Sequence, residues 1–208
     1  MGDRLRKKKI FKIMEIFDER GRKINILEVE FEEQRLVKEF VKEDDVVLEL
    51  GARYGSVSCT INQILSNKKS QVSVEPDHRV WSSLKSNREK NGAQFEIVEG
   101  FISRRKLNLV PRGYDTTFSL DENSNCFCCT LEEVEQKFNL DFNVLVADCE
   151  GFLGIFLEEN PKIYNKMRAI IFEADMTHLC DYDKIRDNLL SNGFIEKLKD
   201  HQNVWIKE

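Results

Sequence analysis

Apolar positions along this chain follow two alternating rhythms. Short runs at 46–50, 71–75, 95–99, 143–147 and 168–172 concentrate β-branched and aromatic residues. Between them, at 56–65, 77–90, 130–138 and 181–191, apolar residues return every three or four positions. The short runs predict strands and the longer stretches predict helices. Regular strand–helix alternation predicts an α/β fold, a parallel sheet with helices on both faces. The tail, with runs at 194–198 and 204–207 around a polar turn, predicts a closing antiparallel hairpin.

Other segments punctuate this frame. Ile10, Phe11, Ile13, Met14, Ile16 and Phe17 predict an amphipathic helix over 10–20, and 21–26 a turn with a short strand. Phe31, Leu36, Val37, Phe40 and Val41 predict a second helix, which closes before Glu43-Asp44-Asp45. Residues 1–42 are therefore expected to be a helical segment packed on a domain spanning 43–208. Residues 100–129 hold Pro111, Gly113 and several Asn and Ser, and predict short strands or loop over the sheet's carboxyl edge. Thr130 with Glu133 makes a capping box, Pro161 stops a short helix, and Asn192-Gly193 ends the last one.

The stretch Val46-Val47-Leu48-Glu49-Leu50-Gly51-Ala52-Arg53-Tyr54-Gly55 carries the first chemical signal. An apolar strand enters a glycine turn, and a helix starts near Ser56. Glycine at 51 lets the backbone turn freely, and glycine at 55 lets a ligand or a helix approach closely. The next strand ends in Glu75-Pro76, and an acidic residue there suits a ribose diol. The spacing Glu49-x-Gly51-x-x-x-Gly55 is not the G-x-G-x-x-G of a dinucleotide site, and no Walker lysine follows. Strand ends at Glu49, Glu75, Glu99, Asp148 and Glu150 are acidic. Such a rim repels a pyrophosphate and welcomes a ligand with an ammonium and a sulfonium. S-adenosylmethionine fits better than NAD or ATP; the competing reading is a glycine turn with no ligand.

Composition narrows the classes. The chain has 208 residues, enough for one three-layer core, and 41% hydrophobic with 33% charged residues describes a soluble globular protein. A net charge of −5 argues against a general nucleic-acid surface. The basic cluster Arg4, Arg6, Lys7, Lys8 and Lys9 reads as a solvated helix start or a linker within a larger multidomain protein. No apolar run is long enough to span a membrane and no signal peptide is visible. The six cysteines form no paired C-x-x-C units, so reduced thiols in a cytoplasmic protein are expected rather than a zinc site.

In open α/β sheets the ligand lies outside the carboxyl ends of the strands. That gathers residues 49–55, 75–77, 99–102, 148–151 and 173–178 around one mouth. Methyl transfer needs in-line positioning and a base for a hydroxyl acceptor. Asp148, Glu150, Glu173 and His178 are the candidates for that base. Mg²⁺ or Mn²⁺ on such carboxylates is an alternative way to activate the hydroxyl. His178 has a second reading as a polar cap of the following helix, and Asp175 as a cap of its own turn.

These residues resemble the FkbM-type family of S-adenosylmethionine-dependent methyltransferases. The resemblance rests on the Gly51–Gly55 motif, Val74-Glu75-Pro76, Cys129-Thr130-Leu131-Glu132-Glu133-Val134, Val144-Leu145-Val146-Ala147-Asp148-Cys149-Glu150-Gly151 and Ile170-Ile171-Phe172-Glu173. It implies a Rossmann-like class I methyltransferase fold with a central, mostly parallel seven-stranded sheet. It implies cofactor contacts from Glu49, Gly51, Ala52, Arg53, Tyr54, Gly55 and Ser56, from Glu75 and Pro76, from Gly100, Phe101 and Ile102, and from Asp148. Glu49, Gly51 and Gly55 would border the methionine part, Glu75 would hold the ribose, and Asp148 would face the transferred methyl. The implied activity is O-methylation of a sugar or glycan hydroxyl, with no nucleic acid and no membrane insertion. The chain departs from the family at Arg53, where asparagine is usual, at Ala147 for isoleucine and at Val146 for lysine. The Gly-Ala-Arg-Tyr-Gly form is also similar to methyltransferase domains in glycan-building proteins of large DNA viruses. Competing readings are a methyltransferase of nucleic acid or protein, a nicotinamide-dependent oxidoreductase, and a non-catalytic domain that keeps only the fold.

Overall fold

A computed structural model describes residues 11–113, 115–124 and 126–207; the basic cluster at 4–9 and Ile10 lie outside them. The elements run α1 (Phe31–Phe40), β1 (Val47–Leu50), α2 (Ser56–Ile64), β2 (Gln71–Val74), α3 (Trp81–Lys90) and β3 (Glu96–Val98). Then come β4 (Phe101–Ile102), β5 (Leu107–Arg112), β6 (Asp115–Leu120), β7 (Cys128–Cys129) and α4 (Leu131–Phe138). The chain closes with β8 (Val144–Ala147), α5 (Leu153–Glu159), α6 (Ile163–Lys166), β9 (Ala169–Glu173), α7 (Tyr182–Ser191), β10 (Ile195–Lys199) and β11 (Gln202–Ile206).

The main sheet has seven strands in the order β10-β11-β9-β8-β1-β2-β3. β3, β2, β1, β8 and β9 are parallel, whereas β11 and β10 pair antiparallel as the expected C-terminal hairpin. The chain winds outward from β1 through β2 to β3, then returns to β8 on the other side of β1. That reversal is a topological switch point, and it opens a crevice at the carboxyl ends of β1 and β8.

Strand alternation divides the core between the two faces of the sheet. Leu48, Leu50, Leu145, Ile170 and Phe172 are buried on one face with residues of α4, α5 and α7. Val47, Val146, Ile171 and Val204 are buried on the other with α1 and α2. Thr130 caps α4 with its side chain and Glu133 returns the bond, so the capping box forms as expected.

The helix expected over residues 10–20 is absent from the described part, 11–20. Its burial has a period of two: Met14 and Ile16 are buried, while Glu15 between them is exposed and Ile13 before them is 93% exposed. The extended backbone is satisfied from outside. The amide of Lys12 donates to Gln63 Oε1 (2.8 Å), that of Glu15 to Asn91 Oδ1 (3.2 Å) and that of Phe17 to Asn87 Oδ1 (3.0 Å). Side-chain amides on α2, on α3 and at its end thus replace the bonds a helix would have made internally. Only α1 is helical among the described residues before 42.

Residues 107–120, expected as short strands or loop, form an antiparallel hairpin from β5 and β6, with Arg112 opposite Asp115.

Candidate active site

The first turn is shaped by backbone contact. Gly51 has φ 89°, and the amides of Gly51 and Ala52 both donate to the Val74 carbonyl at 3.0 Å. A Cβ on Gly51 would lie 1.6 Å from the Asp148 carbonyl oxygen, so the turns leaving β1 and β8 abut directly. Gly55 serves packing instead. A Cβ there would lie 2.8 Å from Leu84 Cδ1, so α3, rather than a ligand, makes the close approach.

These turns open onto a cleft with about 750 Å³ of empty space, its open mouth included. Among the residues predicted from sequence, Gly51, Arg53, Glu75, Pro76, Gly100, Phe101, Asp148 and Glu150 line it. Glu49, Ala52, Tyr54, Gly55, Ser56 and Ile102 are buried and do not. Glu173 and His178 also lie outside its lining, and His178 is exposed.

Glu75 is held by two backbone donors: Arg53 N–H to Oε2 (2.6 Å) and Asp77 N–H to Oε1 (2.7 Å). Burial still pushes its carboxyl up to about 7. Asp77, fully buried, accepts from Arg53 Nη1 at 3.1 Å and from Arg79 Nη2 at 2.7 Å. Burial alone would raise Asp77, but the two guanidinium groups hold it below the usual range. Gly100 is required by proximity, because a Cβ would lie 2.2 Å from the Phe127 carbonyl.

Asp148 receives a proton far more readily than an ordinary aspartate. Burial is the largest cause, followed by the negative charges of Glu173, Glu30, Asp175 and Glu33. Glu150 (φ 52°) and Gly151 (φ 80°) bring the backbone back, and the Gly151 amide donates to Asp175 Oδ1 at 3.1 Å. Tyr182 Oη donates to the same oxygen at 3.0 Å, so Asp175 braces the 148–151 turn. Glu173 turns towards the sheet's hairpin edge. It pairs with His201 Nε2 at 2.5 Å and accepts from Gln202 Nε2 at 2.9 Å.

A smaller cavity adjoins the same turn, and Glu30, Glu33, Glu49 and Asp148 all line it. Burial raises Glu30 to about 8 and both Glu33 and Glu49 to about 7. Glu30 also faces Ser56, whose hydroxyl donates to it. Glu49 accepts from Ser73 Oγ at 2.5 Å, and its other oxygen, Oε1, is buried without a hydrogen-bond partner. Four carboxylates crowded here repel one another and favour a bound positive charge. Among the described residues, no three His, Cys, Asp or Glu side chains are arranged to hold a metal ion.

Sequence reasoning missed Glu30 and Glu33, which no motif marks. It placed residues 100–129 over the sheet's carboxyl edge but named none of the side chains in the cleft's roof, where the β5–β6 hairpin contributes Leu109, Thr116, Thr117 and Phe118. Phe118 packs edge-on against Phe152 (5.7 Å between centroids), which in turn meets Phe101 at 5.4 Å.

No family model and no curated protein matches the sequence. Solved structures do resemble the fold. Precorrin-6y C5,15-methyltransferase from Geobacter metallireducens superposes with a TM-score of 0.56 at 13% identity, covering 87% of this chain and 88% of that one. Ribosomal protein L11 methylase from Lactobacillus delbrueckii gives 0.51 at 11% identity, over 86% and 78%. Aeropyrum pernix fibrillarin, solved with bound S-adenosyl-L-methionine, gives 0.51 at 16% identity, over 89% and 77%. The seven-stranded sheet with its antiparallel C-terminal hairpin is thus a Rossmann-like, class I methyltransferase fold.

Proposed function

We propose that this chain is an S-adenosylmethionine-dependent methyltransferase that transfers a methyl group to a hydroxyl of a sugar or glycan. One observation carries the reading. At the switch point, beside a glycine turn, Glu30, Glu33, Glu49 and Asp148 face shared space with carboxyls pushed above their ordinary range. That arrangement is costly when empty of cations and is relieved by a ligand bearing an ammonium and a sulfonium.

The residues fit such a donor. Glu75 keeps free lone pairs towards the cleft for a ribose diol, while two amides fix its orientation. The buried, unpartnered Oε1 of Glu49 and the crowded Glu30 supply negative charge for the methionine end. When bound, the donor supplies an electrophilic methyl on sulfur. Asp148, at the end of β8, takes the proton from the acceptor hydroxyl; its raised affinity for protons makes it the stronger base. Glu150 lines the same wall and contacts the acceptor. The aromatic side formed by Phe101, Phe118 and Phe152 keeps water from the reacting atoms.

The hydroxyl and the sugar rest on the resemblance to FkbM-type enzymes, and the donor rests on the cleft. Calorimetric titration with S-adenosylhomocysteine tests the donor, with micromolar binding expected. Transfer of radiolabel from S-adenosylmethionine to a glycan panel tests the acceptor. Label appearing only on RNA or protein would overturn the sugar while leaving the donor intact. Binding of NADH in place of S-adenosylhomocysteine would overturn both.

A further inference from the structure

We propose that Thr117, on the hairpin over the cleft, donates a hydrogen bond to the nucleoside part of the bound donor. The inference rests on the donor reading above and adds a residue that no motif marks.

Thr117 is only 6% exposed, and its Oγ1 is buried with no hydrogen-bond partner among the described residues. A buried hydroxyl without a partner is unfavourable, and a valine of the same shape would avoid the penalty. The same residue lines the cleft. An unmatched polar group in the wall of a ligand site is explained when the ligand provides the match.

The hairpin's position identifies which part of the ligand that is. Thr117 pairs with Val110, close to the turn between Arg112 and Asp115. At that turn the Gly113 carbonyl accepts from Arg79 Nη1 at 3.4 Å. Arg79 in turn grips Asp77, whose amide donates to Glu75. The tip of the hairpin therefore hangs over the turn that follows β2, on the side of the cleft where Glu75 stands. Phe118, one residue on, packs instead against Phe152. Thr117 thus sits in the stretch of roof between the tip and that aromatic end, flanked by the apolar Leu109 and Phe118.

The test compares Thr117→Val and Thr117→Ser in the full chain, reading S-adenosylhomocysteine affinity by calorimetry and ligand-free melting temperature. The valine variant is expected to melt no lower than wild type yet to bind about tenfold more weakly, the loss of one hydrogen bond. The serine variant, which keeps the hydroxyl, is expected to stay within about threefold of wild type. A residue with a purely structural role would lower the melting temperature and leave affinity unchanged, and that result overturns the proposal. Equal affinity in wild type and valine variant overturns it too, while the donor reading survives. Wild type that ignores S-adenosylhomocysteine sinks the donor reading, and this one with it.

Discussion

A methyl group placed on the α-carbon of Gly51 would fall 1.6 Å from the carbonyl oxygen of Asp148. Two turns from distant parts of the chain therefore touch backbone to backbone at the point where the strand order reverses. Gly51→Ala must both accept φ 89° and push those turns apart, which costs on the order of 3 kcal/mol or more. Gly92 is the control: it has φ 65°, and nothing lies within 4 Å of its added Cβ. Gly92→Ala is expected to cost about 1 kcal/mol, from backbone conformation alone. Urea denaturation of both variants measures the difference. Equal losses would mean that the contact with Asp148 is not what demands glycine.

Asp148→Asn removes the base and keeps its shape. Because burial and neighbouring carboxylates disfavour the charged form, ligand-free stability at pH 8 is expected to stay level or rise. Methyl transfer in a single turnover is expected to fall by about 10²–10⁴-fold, the usual scale of general-base catalysis. S-adenosylhomocysteine should still bind. Transfer at the wild-type rate would remove Asp148 from the chemistry.

The strands of the parallel core were legible because they are buried, and β-rich runs bounded by turns leave little ambiguity. The acidic ends of those runs pointed to the carboxyl edge of the sheet, and Glu75, Asp148 and Glu150 line the cleft there. Glu49, expected beside the methionine part of the cofactor, lies outside the main cleft's lining, because its place between Leu48 and Leu50 turns it to the opposite face, where it lines the smaller cavity. Residues 11–20 show the limit of periodicity. Their apolar set fits a helix by spacing, yet the donors and acceptors that hold them extended are Gln63, Asn87 and Asn91, remote in sequence. Glu30, Glu33 and Thr117 acquire meaning only through tertiary placement, since nothing local in the sequence distinguishes them from the chain's other glutamates and threonines.

The carboxylate cluster should make stability and binding respond to pH in opposite directions. Glu30 is raised to about 8, and Glu33, Glu49 and Glu75 to about 7, in each case first by burial. Acids raised in the folded state hold more protons there than in the unfolded chain. Their contribution to stability is therefore full below the ordinary glutamate value of about 4.3 and is lost as pH climbs through 7–8. Ligand-free melting temperature should decline from pH 5 to pH 8.5. A cationic ligand favours the ionised form, so its binding releases protons. The affinity of S-adenosylmethionine relative to uncharged-sulfur S-adenosylhomocysteine should climb over the same interval, and Glu30→Gln should flatten the climb. A ratio that ignores pH would deny the cluster its role in holding the sulfonium.

Asp77 joins the turns after β1 and β2, because its carboxylate binds Arg53 from the first and Arg79 from its own. It is fully buried, whereas Arg53 and Arg79 keep side-chain exposures of 16% and 34%. Removing the acid strands two partly wetted cations rather than two dry ones. Asp77→Ala is accordingly expected to cost about 2–3 kcal/mol, below the range for wholly buried pairs. The consequence should extend to the ligand, because the Arg53 amide that Asp77 steadies is one of two donors aligning Glu75. S-adenosylhomocysteine binding should weaken about tenfold in the variant, a loss of about 1.4 kcal/mol. Unfolding in urea and calorimetric titration separate the two effects: loss of stability with unchanged affinity would show that Glu75 keeps its aim without Asp77.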